Sequence, residues 1–532
     1  MSFDETFDVV VVGGGNAGFS AATTAAQLGA KRVLVVEKAP EDDAGGNTYY
    51  TAAGYRCCFD GLSDLLPFLY QPDGTKGLPA ELVEKIEMAA YTKEDFHADI
   101  QRVTKGRADP VLANVLVDNS RAGIQWLVDN GARFMLSFNR QAFHVDGKFK
   151  FWGGMVMNMI GQGKELYQWH TDLARKHGVR IYYSCPAIEL ITDPSTVDVL
   201  GVRVLKDGKY KRIGATGGVI LACGGFQASP ALRAKYLGPG WDLAHVRGCG
   251  YNTGDGHMMA RRVGARLIGN YSGCHSVAWD ANSPIEVGNR ILTNQYTKSG
   301  YPLGLMLNTD GKRFVDEGFD LRNFTYAVFG KEILKQPQGV AFQIWDAEQS
   351  KWLRTEEYAD DVTKNIRADT LEDLVDILVT KGLHNKAQFL STIEEYNKAV
   401  DAFRKENPNQ KFDPAIRDGM STQSLQMSLE LAKSNWATPV TKGPFQAVEV
   451  TTGITFTFGG LSIDASTGNI ISEATRKPIN GLYCTGELLG GLFWGNYPGG
   501  SGLMMGTVMG RIAGKHATER AQGGRDRLRS QL

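Results

Sequence analysis

Asp8-Val9-Val10-Val11-Val12-Gly13-Gly14-Gly15-Asn16-Ala17-Gly18 is the stretch on which the reading of the fold turns. The β-branched run reads as a strand, the glycines as a tight turn, and the Ala-rich residues from Phe19 to Leu28 as a helix. A second apolar run, Val33 to Val36, ends at Glu37 and Lys38. Gly13 permits the turn, Gly15 lets the backbone approach a pyrophosphate, and Gly18 lets the helix pack on the strands. Asn16 and Ala17 open the helix, whose N-terminus faces the phosphate charge. Glu37, 19 residues after Gly18, is placed to accept the hydrogen bonds of an adenosine ribose. A glycine loop in an ordinary βαβ unit would not carry that acid, so the context points to a dinucleotide site in an α/β, Rossmann-like domain.

The whole chain narrows the function classes. Its 532 residues suggest two to four domains. Lys+Arg and Asp+Glu are both 58, so no global field favours nucleic acid or an anionic membrane, although a local arginine cluster for an acidic substrate is compatible with this balance. No apolar run reaches the roughly 18 residues of a membrane span. The first strand starts within about seven residues, which leaves no room for a signal or transit peptide. Seven cysteines without C-x-x-C or metal spacing read as reduced thiols, with no metal and no Fe–S cluster. A cytoplasmic location is expected. The terminal Ser530-Gln531-Leu532 is a partial match to a peroxisomal Ser-Lys-Leu address, without its basic middle residue.

Along the chain, a second glycine block, Gly45-Gly46-Asn47-Thr48, with Ala53 and Gly54 beyond it, reads as a loop that wraps the rest of a large dinucleotide. Residues 80–130 read as helices: Leu82, Ile86, Ala89 and Ala90 keep a helical period, as do Ile124, Leu127 and Val128 before Gly131. Strands follow at Val179–Tyr183, Val199–Leu205 and Val219–Ala222. From about 270 the strand–glycine rhythm gives way to helices, among them Leu371–Val379, with Asp369 as its cap, and Lys386–Phe403. The rhythm returns from Glu449 and a last helix runs from Leu503 to Arg520. The expected organisation is a discontinuous dinucleotide domain, residues 1–269 and 446–532, with an inserted α+β capping domain, residues 270–445.

Several of these motifs, in this order, resemble the flavoproteins of the fumarate reductase and succinate dehydrogenase family. The resemblance rests on the N-terminal turn, Gly45-Gly46-Asn47-Thr48, Leu221-Ala222-Cys223-Gly224-Gly225, Thr253-Gly254-Asp255-Gly256, Gly311-Lys312-Arg313-Phe314-Val315-Asp316-Glu317 and Tyr483-Cys484-Thr485-Gly486-Glu487. It implies FAD as cofactor. Residues 48–55 contain no His of the kind that covalent members carry, so the flavin is expected to be noncovalent. The resemblance puts Ala187, Ala222, Cys223, Gly224, Asn252, Asp255 and Gly486 against the cofactor, Glu487 at the ribityl chain, and Ser501, Gly502 and Leu503 beside the flavin ring. Within the family, Gly273-Cys274-His275, Phe319 to Ala327, Gly453 to Gly460 and Asn496-Tyr497-Pro498-Gly499-Gly500 are similar to FAD-dependent tricarballylate dehydrogenase. That likeness implies oxidation of a tricarboxylate to cis-aconitate.

Such chemistry needs a hydride acceptor, which the cofactor supplies, and a proton path, which the protein supplies. By the same resemblance Arg322 is the proton shuttle, with Glu317 or Asp320 as relay, and His275 binds a substrate carboxylate. Two departures stand out. Phe456 and Tyr497 occupy positions where fumarate and succinate enzymes carry a His and an Arg that hold a dicarboxylate. A fumarate reductase is therefore not expected, and the missing positive charge is sought at Arg56, Arg140, Lys148 or Arg290. Tyr497-Pro498-Gly499 also resembles 3-ketosteroid dehydrogenases, in which Tyr497 would polarise a ketone. The expected function is redox chemistry on a C–C or C=C bond next to a carboxylate. The alternatives are a ketone-adjacent desaturase and an ene-reductase on another acid. Electrons are expected to pass to or from an external partner: a quinone, an Fe–S protein or O₂.

Overall fold

The computed structural model describes residues 2–529; the Ser530-Gln531-Leu532 terminus lies outside the described residues. Strand Glu5–Val12 is the middle of an eight-stranded sheet. It runs parallel to Val33–Val36 on one side and to Lys209–Leu221 on the other. Val33–Val36 pairs onward with Arg180–Tyr182, and the end of Lys209–Leu221 pairs with Pro478–Cys484, again in parallel. Val9 to Val12 and Val33 to Val36 are all buried. An unbroken β-branched run is what a parallel strand covered on both faces requires. The first half of Lys209–Leu221 turns back on Val199–Lys206 and Ala187–Thr192 as an antiparallel edge.

Helix Asn16–Gln27 follows the glycine turn and packs along the long C-terminal helix Ser501–Arg529. The contact has a sequence cause. Gly506, Gly510 and Gly514 recur every four residues and so share one face of the helix. A Cβ on Gly510 would lie 2.5 Å from the Ala17 carbonyl oxygen, and one on Gly514 would overlap that of Ala21. The helix backbones touch because no side chain separates them.

The second body is built on a six-stranded sheet. Strands Leu267–Asp280 and Phe445–Leu461 form a long antiparallel ladder, and Phe445–Leu461 also pairs with Ala341–Trp345, Ile366–Ala368 and His245–Val246. Leu305–Asn308 extends the sheet beyond Ala341–Trp345. Helices Leu371–Val379 and Lys386–Glu406 cover it, burying Leu374, Phe389 and Tyr396 on Leu305, Leu307 and Phe342. The architecture is a Rossmann-like α/β body carrying an α+β cap.

Three local readings are corrected. The helical period through Ile86 breaks: the helix stops at Val83, Ile86–Glu87 pairs in parallel with Lys148–Phe151, and a new helix, Lys93–Thr104, starts on a Thr92–Asp95 capping box. Thr370, not Asp369, caps Leu371–Val379, because its hydroxyl accepts from the Asp373 N–H. The stretch after 270 is not mainly helical. Leu305–Asn308 and Ala341–Trp345 are buried on both faces, so they show no alternation by which to recognise them. Among the described residues no helix is long and apolar enough to cross a membrane.

Gly514→Val places a branched side chain against the Ala21 carbonyl and is expected to cost about 1–3 kcal/mol of stability. Urea unfolding checks this; an unshifted midpoint would mean that the two helices do not need backbone contact.

Candidate active site

One cavity starts at the glycine turn and ends under the cap. At its first end Gly13 has φ +109°, and a Cβ there would overlap the Ala222 carbonyl oxygen. A Cβ on Gly18 would overlap the Gly13 oxygen. The turn is thus closed to side chains and leaves its N–H groups and the start of helix Asn16–Gln27 facing the cavity. The Glu37 carboxylate accepts from the Gly14 N–H at 2.7 Å and the Ala39 N–H at 2.8 Å, while burial raises its pKa. Lys38 Nζ donates to Asp255 at 2.6 Å and to Thr253. Asn47 bridges its loop to the Cys249 N–H and the Thr455 carbonyl.

Asn16 is a buried junction. Its N–H donates to Thr48 Oγ1, and its side-chain amide donates to the Leu503 carbonyl at 2.9 Å. Its Oδ1 accepts from the Tyr55 and Thr507 hydroxyls and faces His170 Nε2. His170 is fully buried and its pKa falls to about 3, so it stays neutral there.

FAD fits this end on the structure's own terms. The turn is a cradle that a Cβ would fill, a helix N-terminus points into it, and an acid stands at the tip of the second strand. Gly13, Gly15, Asn16, Ala17, Glu37 and Lys38 line the cavity. So do Gly46, Asn47, Thr48, Gly54 and Ala187. Ala222, Cys223, Gly224, Asn252, Asp255, Gly486, Glu487, Gly502 and Leu503 complete that wall. Gly18, Ala53 and Ser501 lie behind the lining: Gly18 packs on Gly13, Ala53 is a buried residue at φ +54°, and Ser501 Oγ donates to the Pro498 carbonyl at the helix start.

Glu487 lines the cavity half-buried, its carboxylate accepting from the Thr457 N–H at 2.9 Å, and desolvation pushes its pKa up to about 8. Because the folded value lies above the ordinary 4.5, its contribution to stability is intact below about pH 4.5 and is lost as pH rises toward 8. In the flavin-free protein Glu487→Gln is expected to flatten the fall in thermal midpoint between pH 5 and 8; parallel pH curves for variant and parent would rule this out.

At the other end the lining is aromatic: His275 sits 4.8–5.2 Å, ring to ring, from Tyr326, Tyr497 and Phe456. The Tyr326 and Tyr497 hydroxyls share a short hydrogen bond. His275 lies between two register breaks of its ladder, and such bulges re-aim a side chain. Both its ring nitrogens lack a partner, and burial, reinforced by Arg247, drives its pKa well below 6.5. It meets a ligand as a neutral imidazole.

The same cavity is lined by Arg140, Arg247, Arg322 and Arg354, with Glu357 among them. Glu357 is buried and accepts from Arg354 at 2.9 Å and from the Ser299 N–H and hydroxyl. Arg140 contacts Glu356 at 3.0 Å. Burial would lower the Arg140 pKa, but Glu356 and Glu357 more than offset it. Arg322 donates to the Arg140 carbonyl; burial brings its pKa down to about 10, Glu357 opposing.

The structure brings Arg322, His275 and Tyr497 to one chamber, but not the relay acids read from sequence. Glu317 pairs with Arg313 at 2.5 Å, Asp320 pairs with Arg102, and neither lines the cavity. Of the proposed charge partners only Arg140 lines it. Arg56 is buried against Asp99, Tyr91 and the Gly499 carbonyl, Arg290 stacks 3.5 Å over Tyr49, and Lys148 is exposed. Arg247, Arg354, Glu357, Gln141 and Asn323 were not recognised from sequence as site residues. They come from four separate segments, and the only local signal was Arg247 between strand His245–Val246 and the glycine turn Gly248-Cys249-Gly250.

Glu37→Ala uncaps the Gly14 and Ala39 N–H groups and removes the ribose acceptor. It is expected to weaken FAD binding roughly tenfold or more, read by flavin fluorescence titration; unchanged affinity would remove Glu37 from the site.

Comparison with known proteins agrees with this geometry. The FAD binding domain family matches residues 79–503, and the FAD dependent oxidoreductase family matches residues 8–145. A probable fumarate reductase of Shewanella frigidimarina (strain NCIMB 400) is 28% identical over 520 residues, 97% of this chain and 76% of that protein. The open conformation of a flavocytochrome c3 fumarate reductase superposes with a TM-score of 0.69 at 25% identity, covering 98% of this chain and 79% of that one. A 3-ketosteroid Δ1-dehydrogenase from Sterolibacterium denitrificans shares the fold, with a TM-score of 0.71 at 18% identity over 97% of this chain and 100% of that one. The chain belongs to the FAD binding domain family, among the fumarate reductase/succinate dehydrogenase flavoproteins, and is an FAD-dependent oxidoreductase.

Proposed function

We propose that the chain interconverts a C–C and a C=C bond next to a carboxylate, on a tricarballylate-like polyacid, with FAD held noncovalently and electrons exchanged with an external partner. The observation that carries this is the arginine cluster: Arg140, Arg247, Arg322 and Arg354 line the cavity with Glu357, and Arg247 and Arg322 have no ion pair of their own among the described residues. An anionic substrate would pair with them. By the family resemblance, Phe456 and Tyr497 stand where fumarate and succinate enzymes hold the second carboxylate, so those dicarboxylates would lack that pair of contacts here.

Bound flavin supplies hydride transfer. The remaining work falls to the chain's own side chains. Arg140, Arg247 and Arg354 orient the carboxylates, and neutral His275 adds a hydrogen bond from the aromatic side. Arg322, with a pKa near 10, exchanges the proton at the carbon beside the carboxylate, and Glu357 takes the relay role assigned from sequence to Glu317 or Asp320. A second reading has one observation in its favour, the Tyr326–Tyr497 hydroxyl pair, which could polarise a ketone. It leaves Arg247 and Arg322 without an ion pair and is therefore the less favoured.

Anaerobic bleaching of the flavin band near 450 nm is expected with tricarballylate and not with succinate or a 3-ketosteroid. Bleaching by the ketosteroid alone would transfer the function to the tyrosine pair. Arg322→Gln is expected to bind FAD normally and lose about 10²–10⁴-fold in kcat. Oxidation needs Arg322 unprotonated, so kcat in that direction is expected to climb with pH toward about 10; a flat profile would exclude Arg322 as the base.

A further inference from the structure

Two amides in the chamber each keep one polar atom without a partner. Gln141 ends the short helix Phe138–Gln141, one residue after Arg140; Asn323 lies in the turn Arg322–Phe324, one residue after Arg322. Both line the cavity, and they are 0% and 1% exposed. Asn323 Nδ2 donates to Gln141 Oε1 at 3.0 Å, so the α/β body and the cap meet across this bond. Gln141 Nε2 and Asn323 Oδ1 have no partner.

The leftover pair has a definite character. The one hydrogen bond between the amides leaves the nitrogen of one and the oxygen of the other with no partner. Turning both amides over exchanges which residue supplies which, and still leaves one of each. No neighbouring cation reaches the acceptor: Asn323 Oδ1 has no partner, while Arg140 turns to Glu356 and Arg322 to the Arg140 carbonyl. A carboxylate is no match, because it only accepts and would set oxygen against Asn323 Oδ1. A hydroxyl or a carboxamide both donates and accepts, and satisfies the two atoms together.

We infer that Gln141 and Asn323 form a subsite for a neutral donor–acceptor group, a hydroxyl or a carboxamide, carried by the substrate in addition to its carboxylate. This rests on the carboxylate reading of the arginine cluster and narrows it: the preferred acid is not built from carboxylates alone. The subsite would discriminate strongly, since a ligand lacking the group leaves a buried donor and acceptor unpaired.

The test is a difference titration of the flavin spectrum of the FAD-loaded protein with two matched pairs. Isocitrate is tricarballylate with a hydroxyl added. Succinamate is levulinate with an amino group in place of a methyl, so it gains only the donor. At least one pair is expected to show a preference of about tenfold for the donor–acceptor member. The preference should shrink to about twofold or less in Gln141→Met and in Asn323→Leu. The wild-type ratios are informative even if a variant fails to fold. Equal binding within both pairs, or a preference that survives both substitutions, overturns the subsite and leaves the arginine reading standing. Silence toward all four acids sinks both. Loss of the 450 nm band in folded variants would assign the amides to the cofactor and overturn the proposal.

Discussion

A single buried amide holds the cofactor end together. Asn16 bonds to residues 48, 55, 170, 503 and 507 through its backbone N–H and its side chain, so the glycine turn, the second glycine block, helix Gln162–Lys176 and the C-terminal helix converge on one residue. A buried amide with this many partners is tolerable only when they are all in place. The glycine contacts make that possible: Gly18 brings the helix onto the turn, and Gly506, Gly510 and Gly514 bring the last helix onto the first. The start of the C-terminal helix is thereby fixed relative to the turn that precedes it by almost five hundred residues.

A second, partly buried chain of charge ties this frame to the cap. Arg56 holds the Gly499 carbonyl and Asp99; Asp99 also holds Arg102, which reaches Asp320, two residues before Arg322. Phe324 lies against both guanidiniums, at 5.3 Å from Arg56 and 4.3 Å from Arg102. The backbone that carries Arg322 is therefore anchored to the loop that leads into the C-terminal helix. Asp320 is used up in this anchoring and Glu317 in holding Arg313, while Glu357 is brought in by the short helix Thr355–Tyr358.

What the sequence disclosed follows from the range of the constraint. The glycine turn, Glu37, the second glycine block and the Gly486–Glu487 turn each answer to a local geometric demand, so each was legible where it stood. His275, Arg322 and Tyr497 were found through motif order, without knowledge of what surrounds them. The arginine cluster was not legible, because Arg140, Arg247, Arg322 and Arg354 share no spacing and meet only after the ladder Leu267–Asp280/Phe445–Leu461 has placed the cap. Glu317 and Asp320 misled for the converse reason: proximity along the chain to Arg322 did not survive competition from Arg313 and Arg102. The buried strands of the cap escaped notice because two-sided burial erases the alternation that marks a strand.

The arginine cluster also makes the chamber a small ion exchanger. Fixed cations in a low-dielectric pocket concentrate whatever anions the solvent offers, by a factor set by anion valence and ionic strength. On the proposed carboxylate reading, phosphate, sulfate or citrate in a buffer would be a competing ligand rather than a bystander. Apparent affinities for any acid measured on this protein carry the counterion of the medium within them, and values from different buffers become comparable only after extrapolation to vanishing anion concentration.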